Sequence, residues 1–198
     1  MNPVKDFHNL LGTYQVIDPF FGSDLSYLEL DLGCGKGGLT LELAKRHPDR
    51  LILAADIKGS RLTKINNKAQ FAKLNNIETI KTLGWDFIGT HLPDNCLDRI
   101  HVVCPDPWPK DKHRHNRMLS AEFIARMANL IKYGGTLHLA TDEVRYKEWI
   151  ETAISQIPYF ERDDTLIQDV VEIDTEFKIR WAKQDIPTHH MGFRCIKK

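Results

Sequence analysis

Four aspartates sit at or just after the ends of apolar runs, and they are the first candidates for chemistry: Asp31, Asp56, Asp106 and Asp142. Asp106 lies in residues 104–110, CPDPWPK, where prolines fix φ and cannot donate a backbone hydrogen bond. An acid and an aromatic ring in such a rigid turn are suited to holding a planar group. We interpret this segment as the reaction centre, with a rigid turn around one Trp as the alternative.

A glycine-rich loop follows the first of these aspartates. Gly33, Gly35 and Gly38 satisfy G-x-G-x-x-G, a pattern shared by several nucleotide cofactors. Asp31, just ahead of the loop, would repel the pyrophosphate of a dinucleotide at the helix N-terminus. It suits a cofactor with cationic groups, and S-adenosylmethionine carries an ammonium and a sulfonium. Asp56, at the end of the next apolar run, is placed to accept hydrogen bonds from ribose hydroxyls. A tight turn without a ligand is the alternative.

These residues need a scaffold that brings several strand ends together. Short apolar runs predict strands at residues 28–32, 51–55, 78–83, 97–104 and 136–140. Helical spacing predicts helices at 39–44, 59–74, 123–131 and 146–157, with Gly134-Gly135 ending the third of them. Beyond Pro158 the pattern predicts a strand at 166–173, a short helix at 175–183 and a closing strand at 191–196. Alternating strands and helices imply a parallel sheet, and ligands bind at the carboxyl edge of such sheets.

The charge balance limits how the chain could bind nucleic acid. Lys+Arg and Asp+Glu number 27 each, so there is no overall positive field and any such partner requires a local patch. Residues 110–117 hold four Lys or Arg and one acid, and residues 178–198 hold six and one. Residues 142–177 hold eleven acids and three bases. The two basic segments are therefore the candidate patches.

Length and cysteine usage indicate the broad class of protein. A chain of 198 residues suits one well-buried domain spanning residues 1–198. The four cysteines show no metal-ligand spacing, which favours a reduced intracellular protein without a structural metal. The N-terminus lacks the apolar region of a signal peptide, and no stretch approaches the roughly 18 apolar residues of a membrane span. We therefore expect a cytoplasmic protein with no membrane partner.

Four segments together carry a family resemblance: residues 31–37 (DLGCGKG), residues 105–110 (PDPWPK), Thr141-Asp142 and residues 175–177 (TEF). With them the chain resembles the bacterial tRNA (guanine-N7)-methyltransferase family from about residue 20 to residue 196. The glycine loop is common to class I methyltransferases, whereas PDPW followed by Lys and a His/Arg cluster is specific. The resemblance implies a Rossmann-like α/β fold with a mostly parallel seven-stranded sheet and helices on both faces. It also implies S-adenosylmethionine as cofactor, S-adenosylhomocysteine as product, no metal, a tRNA partner and a monomer or weak homodimer.

The resemblance also suggests roles for individual residues. Asp106 is the expected catalytic residue and contacts the cofactor as well. The expected cofactor-binding set is Asp31, Gly33, Gly35, Asp56, Trp85, Asp86 and Asp106. The expected substrate-binding set is Lys110, Arg114, Arg117, Asp142, Thr175, Glu176, Phe177 and Lys178, in which the first three would grip phosphates.

The chain departs from the family pattern at several of its positions. Leu83 stands where an acid usually follows the third strand, so Asp86 or backbone near Trp85 is expected to hold the adenine. Lys112, His115 and Asn116 stand where the family tends to have Arg, Lys and Arg, and Lys178 replaces a common acid. The basic run is therefore thinner than in the family.

The residues are compatible with a simple methyl transfer. Guanine N7 already exposes a lone pair, so no side chain needs to remove a proton first. Alignment is then the main task of the site, and it can contribute several kcal/mol. Asp106 is expected to accept hydrogen bonds from the guanine N1/N2 edge, and Trp108 either stacks on a base or walls the pocket.

Three other functions remain open. A nicotinamide oxidoreductase would share the glycine loop, but Asp31 and the lack of a Tyr-x-x-x-Lys pair disfavour it. An amino-group methyltransferase is suggested by the partial match of Asp106-Pro107-Trp108 to an Asp/Asn-Pro-Pro-aromatic motif. An RNA-binding module without catalysis is suggested by the thinned basic run.

Overall fold

The computed structural model describes residues 16–17, 27–88, 92 and 94–197, without the side chains of residues 16, 17, 111, 176 and 177. The first residues of the chain, for which the sequence predicts no signal peptide, lie outside this part. No helix in the described ranges combines the length and the apolar character that crossing a membrane requires.

Eight strands form one mixed sheet in the order β1-β4-β3-β2-β5-β6-β8-β7. They are β1 (Val16–Ile17), β2 (Tyr27–Leu32), β3 (Arg50–Asp56), β4 (Ile77–Lys81), β5 (Leu97–Val103), β6 (Ile131–Thr141), β7 (Phe160–Arg162) and β8 (His189–Cys195). Strands β4, β3, β2, β5 and β6 are parallel neighbours, whereas β8 and β7 add an antiparallel edge. The predicted α/β fold with a mostly parallel seven-stranded sheet is confirmed, and the short β1 pairs antiparallel with β4 beyond it.

Helices cover both faces of this sheet. They are α1 (Gly38–Arg46), α2 (Gly59–Phe71), α3 (Gly84–Asp86), α4 (Ala121–Leu130), α5 (Val144–Ser155), α6 (Gln168–Val171) and α7 (Glu176–Ala182), with 3-10 turns at Asp111–Asn116 and Asp164–Ile167. Side-chain hydrogen bonds cap the N-termini of the two helices that follow the reaction-centre segment. The Ser120 hydroxyl accepts a hydrogen bond from Phe123 N at α4, and the Glu143 carboxylate accepts one from Tyr146 N at α5.

Strand alternation divides the core into two clusters. Successive side chains of a strand point to opposite faces, so Leu51 and Leu53 of β3 enter one cluster and Ile52 and Ala54 the other. The larger cluster includes apolar residues of α4 and α5, and the smaller one includes residues of α1, α2 and α6. The same alternation places Glu29 and Asp31 on the face of β2 away from the larger cluster, beneath α1.

Two predicted elements differ from the structure. The sequence pattern predicts a strand at residues 166–173, but this segment contains the end of the 3-10 turn Asp164–Ile167 and all of α6. Their buried residues Ile167, Val170 and Ile173 recur every third position, which is a helical spacing. The Gly134-Gly135 pair was predicted to end a helix, but it lies inside the 11-residue β6, where the pairing with β5 shifts register. The short strand β7 was not predicted, because three residues carry too little pattern.

Candidate functional site

The four aspartates lie at one edge of the sheet. Asp31 is the second-last residue of β2, and Asp56 is the last residue of β3. Asp106 follows β5, and Asp142 directly follows β6. These four strands are parallel neighbours, so their carboxyl ends meet along the same edge. The structure thus brings together the acids that sequence spacing placed at strand ends.

Two adjoining cavities open at this edge. Cavity I, of about 370 Å³, is lined by Asp31 and the glycine loop, with Thr175 and Arg180 at α7. Cavity II, of about 350 Å³, is lined by Asp56, Asp106 and Trp108 among others. The two cavities share the lining residues Gly33, Gly35, Arg61 and Val103, so they adjoin along the glycine loop. Asp31 and Asp106 therefore line neighbouring cavities at the same edge of the sheet.

Asp31 is a buried acid whose carboxylate accepts hydrogen bonds from Thr40. Its exposed fraction is 2%, and the Thr40 hydroxyl of α1 donates to Asp31 Oδ2 over 2.6 Å. Burial raises the pKa of the Asp31 carboxyl, against the opposing effect of the Thr40 hydrogen bond. A cation placed against Asp31 would stabilise its ionised form, although Lys36, Arg61 and Arg180 also line cavity I. Sequence reasoning missed Thr40, although helical spacing puts it in the first turn after the loop.

The glycine loop is held open by backbone contacts. Gly33 N and Cys34 N both donate to Ala55 O, and Gly35 N donates to Asp56 Oδ2 over 3.0 Å. Gly37 adopts φ +80°, and a Cβ there would lie 2.5 Å from the side chain of Ile65 on α2. Glycine is required at this position by both conformation and space. The loop can therefore approach a ligand closely while α1 and α2 pack behind it.

Asp56 organises the wall between the two cavities. Besides Gly35 N, its carboxylate accepts hydrogen bonds from Lys58 N over 2.8 Å and from Arg61 Nη1 over 3.0 Å. Arg61 lines both cavities, which sequence reasoning did not predict. The available signal was its place in the first turn of α2, directly after the strand end that carries Asp56. The Asp56 carboxylate thus lies at the cavity surface with its orientation fixed by three donors.

The CPDPWPK segment forms a constrained loop along cavity II. Cys104 and Trp108 adopt φ values of +48° and +42°, in the left-handed region that costs non-glycine residues about 1–2 kcal/mol each. Asp106 is exposed and lines the cavity, and Trp108, 37% exposed, lies beside it. The His113 ring packs edge-on against Trp108 with the ring centroids 5.7 Å apart. The loop therefore presents an acid and an aromatic ring together, as predicted.

Arg117 differs from the other basic residues of its segment. Lys110 and Arg114 are exposed, whereas Arg117 is 8% exposed. Its Nε donates to Pro107 O over 3.0 Å and its Nη2 donates to Trp108 O over 3.3 Å. The guanidinium of Arg117 therefore points toward these backbone carbonyls and is largely shielded from solvent. Its placement does not match the expectation that it grips a phosphate.

The other predicted substrate residues are Asp142, directly after β6, and residues 175–178 at the start of α7. Asp142 is half-buried, and Thr175 lines cavity I while its hydroxyl accepts a hydrogen bond from Lys178 N at the start of α7. Lys178 Nζ donates to Val171 O and contacts Asp174, so it faces its own segment. Glu176 and Phe177 begin α7, but their side chains lie outside the described part of the chain.

The segment expected to hold the adenine, by Asp86 or by backbone near Trp85, follows β4. Trp85 and Asp86 lie in α3 and line neither cavity, and Trp85 instead packs against Phe123 with ring centroids 4.5 Å apart. Leu83 and Gly84 line cavity II, together with Ile57. The apolar side chains Ile57 and Leu83 are both more than half exposed, at 56% and 51%. They give cavity II exposed apolar surface, which a planar ring can cover.

Neither a reactive thiol nor a metal-binding cluster is found near these cavities. All four cysteines are free, and burial raises the pKa of Cys34 strongly and that of Cys104 to about 12. Thiols with such pKa values are poor nucleophiles at neutral pH. Within the residues that the structure describes, no group of three or more His, Cys, Asp or Glu is arranged to hold a metal ion.

A chain of buried polar side chains crosses the sheet beneath cavity I. His101 Nε2 lies 2.9 Å from Glu29 Oε2, His101 Nδ1 lies 3.0 Å from His138 Nδ1, and His138 Nε2 lies 2.9 Å from His190 Nδ1. Burial alone would raise the pKa of Glu29, but His101 and two arginines lower it to about 2. Burial holds the pKa of His138 well below 6.5 and, with Lys178 and His189, lowers that of His190 to about 4. This row of side chains links the neighbouring strands β2, β5, β6 and β8 under the site.

The row of buried side chains from Glu29 to His190 predicts that the protein loses stability in mild acid. Because His190 has a lower pKa when folded than the 6.5 of the unfolded chain, the unfolded state binds more protons below pH 6.5. The free energy of unfolding should fall as pH drops from about 6.5 to about 4, by about 2 kcal/mol from His190 after solvent screening. Urea unfolding across this range should show a shallower pH dependence for His190→Gln than for wild type. Equal slopes would contradict the assignment. Glu29, with its pKa lowered from 4.5 to about 2, also contributes to the slope below about pH 5, but it does so in both proteins.

Comparison with known proteins gives the family of the chain. The chain matches the family described as putative methyltransferase over residues 26–191. It is 29% identical to a tRNA (guanine-N(7)-)-methyltransferase of Chlorobium phaeobacteroides, covering 88% of this chain and 83% of that protein. It is 35% identical to a tRNA (guanine-N(7)-)-methyltransferase of Nitrosospira multiformis over 66% of this chain. The chain spans only 57% of the length of the Nitrosospira protein.

A solved structure shares the fold. The 16S rRNA methyltransferase KamB superposes with a TM-score of 0.66 at 19% identity, covering 92% of this chain and 97% of that chain. At this identity the likeness supports the arrangement of strands and helices. It carries no assignment for the residues that line the two cavities.

Proposed function

The chain belongs to the putative methyltransferase family that it matches over residues 26–191, and from this premise we propose that it is a tRNA (guanine-N7-)-methyltransferase. It transfers a methyl group from S-adenosylmethionine to N7 of a variable-loop guanine. The observation that supports the proposal is that the cavity lined by Asp31 adjoins the cavity lined by Asp106, with the glycine loop lining both. The similarity to tRNA (guanine-N(7)-)-methyltransferases supports the choice of base atom and substrate.

The residues of the cavities fit S-adenosylmethionine. Asp31 is a buried carboxylate that lacks a cationic partner among the hydrogen bonds described for it, and it suits the ammonium group. Asp56 is held at the wall of cavity II and suits the ribose hydroxyls. Ile57 and Leu83 suit the adenine ring, in place of the expected contribution from Trp85 and Asp86. When bound, this cofactor supplies the electrophilic methyl group.

The protein's own residues then have the task of alignment. Guanine N7 is nucleophilic without loss of a proton, so no general base is needed. Asp106 lies at the cavity surface, where its carboxylate accepts hydrogen bonds from the guanine N1/N2 edge and stabilises the positive charge that develops on the purine. Trp108 beside it limits the tilt of the base. Holding the reacting atoms in line can lower the barrier by several kcal/mol.

Lys110 and Arg114 are proposed to contact tRNA phosphates near this loop, since both are exposed there. Replacing both with alanine should weaken tRNA binding and reduce the slope of log Kd against log salt by about 1.5–2. Filter binding between about 50 and 200 mM salt measures both effects. Lys64→Ala with Lys68→Ala, which removes two exposed charges from α2, is the matched control and should leave the slope unchanged. Identical slopes for the two double variants would remove Lys110 and Arg114 from the interface.

The assay that tests the proposed activity uses labelled S-adenosylmethionine and unmodified tRNA, followed by nucleoside analysis. N7-methylguanosine is the expected product. A base methylated on an exocyclic amino group would instead identify an amino-group methyltransferase. Binding of tRNA without any transfer would identify an RNA-binding module.

A further inference from the structure

We propose that Arg117 is a positioning residue that fixes the conformation of the Asp106 loop, and that it does not bind tRNA phosphate. The loop is the segment 104–110 described above. The proposal rests on the proposed methyl transfer for its kinetic consequences, and on contacts within the protein for its structural ones.

The first support is the pattern of hydrogen bonds from the guanidinium. Arg117 donates from Nε to Pro107 O and from Nη2 to Trp108 O, so it binds two successive carbonyls directly after Asp106. Arginine presents several N–H donors in a rigid plane, which lets one side chain bind both carbonyls at once. Lysine carries a single ammonium group and cannot reproduce this pair in the same geometry.

The second support is how the guanidinium itself is held. It lies over the ring of Trp149 at 5.0 Å and that of Tyr146 at 5.6 Å, both on α5. These rings are fixed to the chain just after Arg117, because Leu119 N donates to Tyr146 Oη and Trp149 Nε1 donates to Leu119 O. The buried Arg117 therefore connects the Asp106 loop rigidly to a helix of the core.

The third support is the conformation that must be maintained. Trp108 has φ +42°, a value that side chains other than glycine adopt only when their surroundings enforce it. The carbonyl of Trp108 is one of the two that Arg117 binds. Without the guanidinium the loop can relax to other conformations, in which Asp106 and Trp108 line cavity II for a smaller fraction of the time.

The test compares Arg117→Lys and Arg117→Gln with Arg114→Lys and Arg114→Gln, the matched pair at an exposed arginine three residues away. Loop positioning predicts that both Arg117 variants lower kcat by about 10–100-fold, as expected for a small misplacement of reacting groups. Their KM for tRNA should stay within about two-fold of wild type, and the salt slope of tRNA binding should not change. If Arg117→Gln does not fold, Arg117→Lys decides the matter, since its stem fills most of the same space.

A phosphate contact would give the reverse pattern. Arg117→Lys would keep kcat near wild type, and Arg117→Gln would lower the salt slope by about 1. Either result would overturn the proposal.

A second measurement tests the loop without any turnover. The part of the fluorescence emission that Trp108→Phe removes reports on Trp108, and it should change in wavelength or intensity when Arg117 becomes Lys. An unchanged Trp108 signal would contradict the positioning role. If wild type made no N7-methylguanosine, the proposed function would fail, while this signal would still decide whether Arg117 holds the loop.

Discussion

Asp106→Asn is expected to lower kcat for methyl transfer by about 10²–10³-fold while the protein folds normally. The carboxylate lies exposed on cavity II, so its loss leaves no buried group unsatisfied and no cavity in the core. The expected effect on rate is that of removing one preorganised electrostatic contact from a transition state. Single-turnover rates at saturating tRNA and cofactor measure it apart from binding.

Glu148→Gln is the control for this substitution. Glu148 is an exposed acid on α5, and its replacement removes the same charge and should leave kcat unchanged. Wild-type turnover by Asp106→Asn would exclude Asp106 from catalysis. The loop would then serve only to shape the pocket.

Asp31→Asn is expected to weaken binding of S-adenosylhomocysteine by about 30-fold or more. Removing one partner of a buried charge pair typically costs 2–5 kcal/mol of binding energy, which corresponds to at least this factor. The stability of the free protein should stay the same or rise, because Asp31 is a buried carboxylate whose pKa is raised by burial. The substitution should therefore change cofactor affinity and stability in opposite senses.

Isothermal calorimetry with S-adenosylhomocysteine and urea unfolding measure the two quantities. Glu42→Gln, at an exposed ion pair on α1 near the same loop, is the control and should leave the affinity unchanged. Unchanged affinity in Asp31→Asn would contradict the assignment of cavity I to the ammonium end of the cofactor. A large loss of stability would show that Asp31 has a structural role instead.

Much of the fold is predictable from the sequence because its strands are buried on both faces. Residues 51–55 form a continuous apolar run, and such runs indicate parallel strands whatever their neighbours are. The segment 166–173 could not be assigned from composition, because β-branched residues favour strands while their spacing of three suits a helix. The pairing that makes β7 a strand involves β8, which is remote in sequence, so no local pattern reveals it.

Some residues of the site can be predicted from the local sequence, whereas the placement of others depends on tertiary packing. The placement of Asp31, Asp56 and Asp106 follows from strand ends and is readable from the sequence. Arg117 could not be distinguished from Lys110 or Arg114 by its neighbours, because its burial depends on Trp149 and Tyr146 about 30 residues later. Basic runs predict exposed charge on average, and tertiary packing decides which member turns inward.

The most direct test of methyl transfer to N7 uses two tRNAs that differ in one atom position. One transcript carries guanine in the variable loop, and the other carries 7-deazaguanine there, which lacks the nucleophilic nitrogen. Transfer from labelled S-adenosylmethionine should give N7-methylguanosine with the first transcript and no label at that position with the second. Equal labelling of both transcripts would contradict N7 as the acceptor.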